Sequence, residues 1–487
     1  MRKGHGAGIL VWGSVCLSAA PLVALVSRLG SGAGRLDVGA FGNAVAFALL
    51  GAGVAVALGV TGALVAGTSE FPFRRFLTAA MALPIAAPPA FWWIGLSHLP
   101  GPLRSVHGLL PAAVAAGWAL APVPFLLTLA AVREIPGAAY DAARVALGPG
   151  LRVRRVLIPL ARSGAAAGFL LAAILLLGES EIPFLFGFRT TTTEIVTQFA
   201  RSFDAGGMAP HVVPLLLIVL ALGLSARRPL LEALLAGPRG RRGPSRRPAP
   251  VATVLLVVLA SPSLLALAGY LGPAMVAGAS GRVRIPVDAS AVATVAEAVV
   301  SAWLAVLLGG GAAYVLRRSP ARPALLTTGL LLFCVPAAIW GIGWIELGQL
   351  LGGRTAPLAL AHVARLWGLA ALGFAAAYSR LPASLEHAAE LVPVSPSRRA
   401  LVLVLPPLAP SLGAVSVLVA ALVFSDRDVA SLLLPPGAER LMLDLYLLSA
   451  NAPSAAVGAL AVVVLLAGLV TALLAVVGPW ALLRWHV

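Results

Sequence analysis

The sequence predicts an all-α polytopic membrane protein with about twelve transmembrane helices in two parallel six-helix repeats. Three observations carry this prediction. Of the 487 residues, 60% are hydrophobic and 11% charged, with a mean hydropathy of +0.97; soluble domains run near a quarter charged. Apolar stretches of roughly 18 residues or more, enough to cross a hydrocarbon core of about 30 Å, recur along the whole chain. Two segments of the first half return in the second with matched tryptophans and matched acidic pairs. Helices satisfy their own backbone in lipid, and the alternating ten-residue strands of a barrel are absent.

The first element is "MRKGHGAGILVWGSVCLSAAPLVALVS". It resembles a signal peptide but lacks a clear small-x-small cleavage site, so it reads as an uncleaved first span near 7–28. Further spans fall near 40–68, 76–98, 108–132, 163–187 and 210–226. A Pro/Gly/Arg-rich cytoplasmic linker, 227–250, then interrupts the pattern. Spans resume near 251–277, 291–316, 323–346, 357–378, 408–426 and 455–480. The repeats therefore occupy 1–226, with a core of about 40–226, and 251–487, with a core of about 291–480. Pro84, Pro88, Pro89 and Pro336 predict kinks in spans 3 and 9, where freed carbonyls can be satisfied inside a bundle.

The repeat is specific in two places. "APPAFWWIGLSHL" (87–99) aligns with "VPAAIWGIGWIEL" (335–347) at an offset of 248, pairing Trp92 with Trp340 and Gly95 with Gly343. "LLGESEIPFLFG" (176–187) aligns with "LVFSDRDVASLL" (422–433) at an offset of 247, pairing Glu179 with Asp426 and Glu181 with Asp428. An even number of spans per half keeps both halves in one orientation, related by a pseudo-two-fold along the membrane normal.

The formal charge of +17 comes from 34 Arg and one Lys, Lys3, placed mostly in short segments between spans. With the N-terminus in the cytoplasm, 24 of these 35 residues fall on that side, which predicts both termini in the cytoplasm. No basic segment is long enough to fold as a soluble domain, which argues against a nucleic-acid partner. Cys16 and Cys334 fall in separate spans, so neither a disulfide nor a metal site is expected. The seven histidines show no HExxH; His98, His107, His211 and His362 fall toward the predicted outer face as interfacial or packing residues.

Ionisable groups at membrane depth are costly and tend to be functional. Glu179, Glu181, Asp426, Arg427 and Asp428 sit on spans 5 and 11, with Glu297 and Glu346 elsewhere. In one reading Arg427 pairs with a neighbouring carboxylate and holds helices together. In the other, the 179/181 and 426/428 pairs line a central path or its outer gate.

The segment before span 5, "YDAARVALGPGLRVRRVLIP" (140–159), has a twin before span 11, "EHAAELVPVSPSRRALVLVLP" (386–406). Each reads as a short helix, a bend and a second helix entering the span. Asp141 or Glu386 suits a helix start, Gly148 or Pro393 stops that helix, and Pro159 or Pro406 suits the next start. Small Ala residues give a face that another protein can approach closely.

These twins resemble the "EAA" loop of binding-protein-dependent ABC importer permeases, roughly E-A-A, then Gly, then Pro. The match falls on Asp141, Ala142, Ala143, Gly148 and Pro159, and again on His387, Ala388, Ala389, Pro393 and Pro406, with Glu386 one place early. The resemblance implies a MetI-like type-1 ABC permease fold whose loops dock on a cytoplasmic ABC ATPase dimer, with an extracytoplasmic solute-binding protein delivering solute. Two six-span halves in one chain, with "GESEIPFLFG" and "FSDRDVASLLLPPGAERLMLDLY", look like the iron(III) group, which includes thiamine and aminoalkylphosphonate permeases. Ferric iron is the first substrate expectation.

A P-loop needs its GxxxxGK[ST] lysine. The sole lysine is Lys3, so ATP and magnesium belong to a partner and this chain is expected to be a transport subunit, not an enzyme. Twelve spans in parallel halves also describe secondary transporters of the major facilitator type. That family carries a charged signature between spans 2 and 3, where this chain has only "GTSEFPFRRF". A membrane-embedded enzyme would need a clustered His/Asp/Glu motif at a span end.

Overall fold

The computed structural model describes residues 5–30, 34–99, 101, 105–235, 247, 248, 250–279, 289–352, 357–382, 384, 385, 387, 391, 395, 398, 400–435 and 437–484. Among them, nine helices are long and apolar enough to cross a membrane, and three bent pairs bring the number to as many as twelve. The all-α polytopic class is therefore observed. The strand content among the described residues is a two-residue parallel pairing of Ser69 with Arg247 and Glu70 with Pro248.

The first half contains α1 (His5–Arg28), α2 (Val38–Thr68), α3 (Arg74–Ala82), α4 (Pro89–Ser97), α5 (Leu109–Leu120) and α6 (Pro122–Arg133). It continues with α7 (Gly137–Ala146), α8 (Pro149–Arg152), α9 (Ile158–Leu177), α10 (Glu181–Leu185), α11 (Thr191–Ser202) and α12 (Ala209–Leu235). The second half contains α13 (Pro250–Ala279), α14 (Ala289–Val315), α15 (Arg322–Cys334), α16 (Ala337–Leu350) and α17 (Leu358–Tyr378). It closes with α18 (Leu405–Phe424), α19 (Asp428–Leu433), α20 (Leu441–Asn451) and α21 (Ser454–Arg484).

Proline sets the bends. The segment 74–86 turns by 103° into α4, and α15 turns by 94° into α16, at the expected prolines of spans 3 and 9. A residue before proline is pushed out of the helical region, and Val335, before Pro336, is extended at φ −63° and ψ 129°. At each break tryptophan adds a side-chain donor to a carbonyl that also accepts the backbone N–H three residues on. Trp92 Nε1 donates to the Pro84 carbonyl at 2.9 Å, and Trp340 Nε1 to the Leu332 carbonyl at 3.2 Å, in each case eight residues back. Pro122 accompanies a milder 42° bend between α5 and α6.

Span 5 begins earlier than hydropathy predicts. The expected range was 163–187, whereas continuous helix runs from 150 to 177. Arginines there read as loop by hydropathy, but their long side chains can reach the membrane boundary from a helix. The helix widens to a π-turn over Val153–Leu157, where the Ile158 N–H donates to the Val153 carbonyl. Pro159 follows at once; it lacks an N–H and its ring crowds the carbonyl four residues back, which a wider turn relieves. The same π-turn recurs at Ala400–Val404, two residues before Pro406. Span 11 accordingly runs 401–424, not 408–426, and span 6 extends through Leu235.

Small residues let these helices approach closely in lipid, where packing replaces the hydrophobic drive. The buried face of α2 is Ala and Gly with a single Phe47. The first helix of each half crosses to the other half. A Cβ on Gly343 of α16 would lie 2.7 Å from the Pro21 carbonyl oxygen of α1, and one on Gly95 of α4 would lie 2.7 Å from the Tyr270 ring of α13. Tyr270 also donates to the Phe91 carbonyl at 2.6 Å.

Candidate functional site

A cavity of about 420 Å³ lies between the halves. Its walls come from α6, α9, α12, α15, α17 and α18 and from the broken regions at Pro84–Pro89 and Val335–Ala337. Most of the lining is Leu, Val, Ala and Pro. The charged exceptions are Glu179, Glu181, Arg365, Asp426, Arg427 and Asp428. All five residues expected to line a path are therefore brought together here, joined by Arg365.

Local structure explains their placement. Span helix α9 stops at Leu177, and the Glu179 carboxylate accepts the backbone N–H groups of Glu181 and Ile182 at 2.8 and 3.2 Å, starting α10. Likewise α18 stops at Phe424, and Asp426 accepts the Val429 N–H at 3.0 Å, starting α19. Each acid satisfies donors that a helix start leaves open.

Between these caps the halves touch. Arg427 lies 3.0 Å from Glu181 and 3.1 Å from Asp428, and donates to Ser180 Oγ at 3.1 Å. The Ser180 hydroxyl donates to Asp428 at 3.0 Å. The Arg427 guanidinium also sits 4.2 Å from the Tyr446 ring centre. Ser180 and Arg427 are 247 positions apart, as are Glu181 and Asp428. The contact is thus reciprocal: position 180 meets 428, and its counterpart 427 meets 181. Arg427 pairs with carboxylates and also lines the cavity.

At the end of the bundle where α6 meets α9, α7 stands out from the body. Tyr140 is its anchor, buried with Val132, Ile135, Leu157 and Ala161, with the Arg152 guanidinium 5.4 Å from its ring centre. The opposite side is open: Ala138, Asp141, Ala142, Val145 and Ala146 are exposed, Val145 by 91%. Asp141 pairs with Arg144 at 3.3 Å, Ala143 is half-buried, Gly148 lies in the break before α8, and Pro159 sits in the first turn of α9. The expected helix, bend and second helix are all present in this loop. Of its twin, Glu386, Ala388, Ala389 and Pro393 lie outside the described residues; His387 is exposed and Pro406 enters α18. Arg380, at the end of α17, approaches Glu134, at the end of α6, to 3.8 Å.

The family described as binding-protein-dependent transport system inner membrane component matches residues 53–228, a stretch that contains α7 and the 179–181 turn. That stretch carries the inner-membrane domain of binding-protein-dependent ABC importers. No curated protein and no solved structure gives a significant match.

The chain carries a further ion network on its second half. Asp426 is paired with Arg365 at 2.8 Å and lies 3.7 Å from His362 Nε2. His362, 1% exposed, meets Glu297 through Nδ1 at 2.9 Å, and Glu297 meets Arg440 at 2.8 Å. The sequence singled out Glu297 and His362 separately and missed Arg365 and Arg440. The positions 247 residues earlier are Leu50, Ala115, Trp118 and Thr193, so this network has no counterpart in the first half. Glu346, 3% exposed, faces Arg28 at 3.5 Å and ties α16 to α1. His98 lies 2.7 Å from the Ile94 carbonyl, and His211 accepts the Asp37 N–H at 3.2 Å, as packing residues do. No group of three or more His, Cys, Asp or Glu side chains able to hold a metal occurs among the described residues.

Proposed function

We propose that the cavity is the solute path of an ATP-driven importer and that the permease couples to a separate ATPase dimer through α7 and the twin loop 386–406. The observation that carries this is the exposed face of Ala138, Ala142, Val145 and Ala146, small residues held off the body by buried Tyr140. Such a face suits insertion into a cleft, and Asp141, Gly148, Pro159, His387, Ala388, Ala389, Pro393 and Pro406 belong to the same two loops. ATP and magnesium act on the partner, and an extracytoplasmic binding protein supplies solute at the opposite face.

The two halves act as repeats, 1–226 and 251–487 around the linker 227–250, with both termini cytoplasmic. Matching Trp donations, matching π-turns, matching acidic caps and the reciprocal 180/428 and 427/181 contacts support this reading. The lining also bears on the cargo. Four carboxyl groups against two guanidiniums give the lining more acidic than basic groups, which suits a cation. Ferric iron fits the resemblance, with thiamine as the organic alternative and aminoalkylphosphonate less favoured. Because ATP can switch the path only by binding its two states differently, coupling belongs in the loops.

The direct test replaces Ala142 by Cys in the full chain and offers a thiol cross-linker in cells that contain its ATPase. A cross-link to an ATP-binding subunit is expected. Cross-linking to no such subunit, with Ala142→Cys still well folded, would sink the coupling proposal.

A further inference from the structure

We propose that Ser180, Glu181, Arg427 and Asp428 form a latch between the halves that shuts the cavity at the end remote from α7, held by a single guanidinium. The proposal rests on the reading of the cavity as a solute path and names the part that closes it.

Position comes first. The latch sits just beyond the last residues of α9 and α18, whereas α7 and α8 lie before the start of α9. The twenty residues of α9 rise about 30 Å, so latch and docking loop lie roughly one hydrocarbon thickness apart. The cavity extends from the charged cluster as far as Leu230 and Leu234, near the end of α12. The charged cluster therefore lies at the end of the cavity nearest the latch, and the close of α12 at the other.

The contact also has the right symmetry. A reciprocal pair places the local two-fold between α10 and α19, where a path shared by two like halves must run. The pair is chemically unequal, however: one side offers Ser180 and the other Arg427. Arginine on both sides would crowd two guanidiniums at the axis. One arginine instead bridges Glu181 of the first half and Asp428 of its own.

That inequality makes opening feasible. Parting the halves breaks Arg427–Glu181, Arg427–Ser180 and Ser180–Asp428. Arg427 keeps Asp428 and the Tyr446 ring, both in the second half, so no stranded buried cation results. Glu181 is the group released, and it then faces the path without its guanidinium. The latch is strong when shut and leaves its cation satisfied when open.

The test reads access from each side of the membrane and needs no knowledge of the solute. Leu369, half-buried in the cavity wall one turn of α17 from Arg365, is replaced by Cys in a chain whose Cys16 and Cys334 are Ser. A membrane-impermeant, charged methanethiosulfonate is applied to right-side-out and to inside-out vesicles. The parent is expected to label from the cytoplasmic side and only at background from outside. Adding Arg427→Gln should raise outside labelling about tenfold or more, since tenfold corresponds to only about 1.4 kcal/mol. Should that variant fail to fold, the triple Glu181→Gln, Arg427→Met, Asp428→Asn leaves no stranded charge and should raise outside labelling similarly. Outside labelling equal to inside labelling in the parent overturns the proposal. So does a folded latch variant that labels like the parent. Failure of any ATPase to associate would instead defeat the importer reading while leaving these labelling outcomes intact.

Discussion

Replacing Arg427 by Met should destabilise the protein far more than removing the whole charged contact. Glu181 is 8% exposed and the Asp428 side chain 13%, and both draw their cation from Arg427, at 3.0 and 3.1 Å. Taking away one member of a buried ion cluster strands the others, at a cost of about 3–5 kcal/mol. Replacing every charged member by a neutral residue of similar shape often costs about 1 kcal/mol or less, because desolvation of the charges is avoided as well. The triple Glu181→Gln, Arg427→Met, Asp428→Asn should therefore be more stable than Arg427→Met alone, although it carries two further substitutions. The assay is unfolding of the full chain in mixed micelles with increasing dodecyl sulfate, followed by tryptophan fluorescence. A midpoint for the triple variant at or below that of the single variant would refute the reasoning, since the carboxylates would then not depend on Arg427.

Other consequences follow from the same packing. Val145→Asp, at a position 91% exposed, should leave stability unchanged, while weakening ATPase association about tenfold, the value of one buried valine of about 1.5 kcal/mol; titrated pull-down measures it. Gly343→Leu should drive α1 off α16, because even a Cβ would lie 2.7 Å from the Pro21 carbonyl oxygen, and overpacking of this kind costs about 1–3 kcal/mol; the yield of monodisperse protein reads this. Trp92→Phe and Trp340→Phe each leave a carbonyl at a broken span without its indole donor, so each should cost about 1 kcal/mol in the same unfolding assay.

Much of this was legible in the sequence because lipid imposes simple rules. The all-α polytopic class followed from apolar length, with nine to twelve candidate spans among the described residues, and the sharp bends of spans 3 and 9 followed from Pro84, Pro88, Pro89 and Pro336. The acidic pairs at 179/181 and 426/428 marked the cavity wall because charge at membrane depth has few other uses. Other features depended on distance in space. Arg365 reads as an ordinary charge in span 10 until Asp426, 61 residues on, is seen 2.8 Å away. Arg440 gave no signal that it reaches Glu297, 143 residues earlier. Span 5 was placed late because hydropathy treats Arg152, Arg154 and Arg155 as loop, although a helix end at the membrane boundary accommodates them. The reciprocal 180/428 and 427/181 contacts follow from the offset of 247 only once α10 and α19 are known to face each other.

The most direct test of the central claim is co-purification of the full chain with an ATPase from its native membrane. The account predicts that an ABC ATPase comes down with the wild-type chain and is lost when 141–148 and 387–393 are replaced, with the chain itself still folded. A chain that purifies alone and moves solute in liposomes on an ion gradient, without ATP, would contradict it.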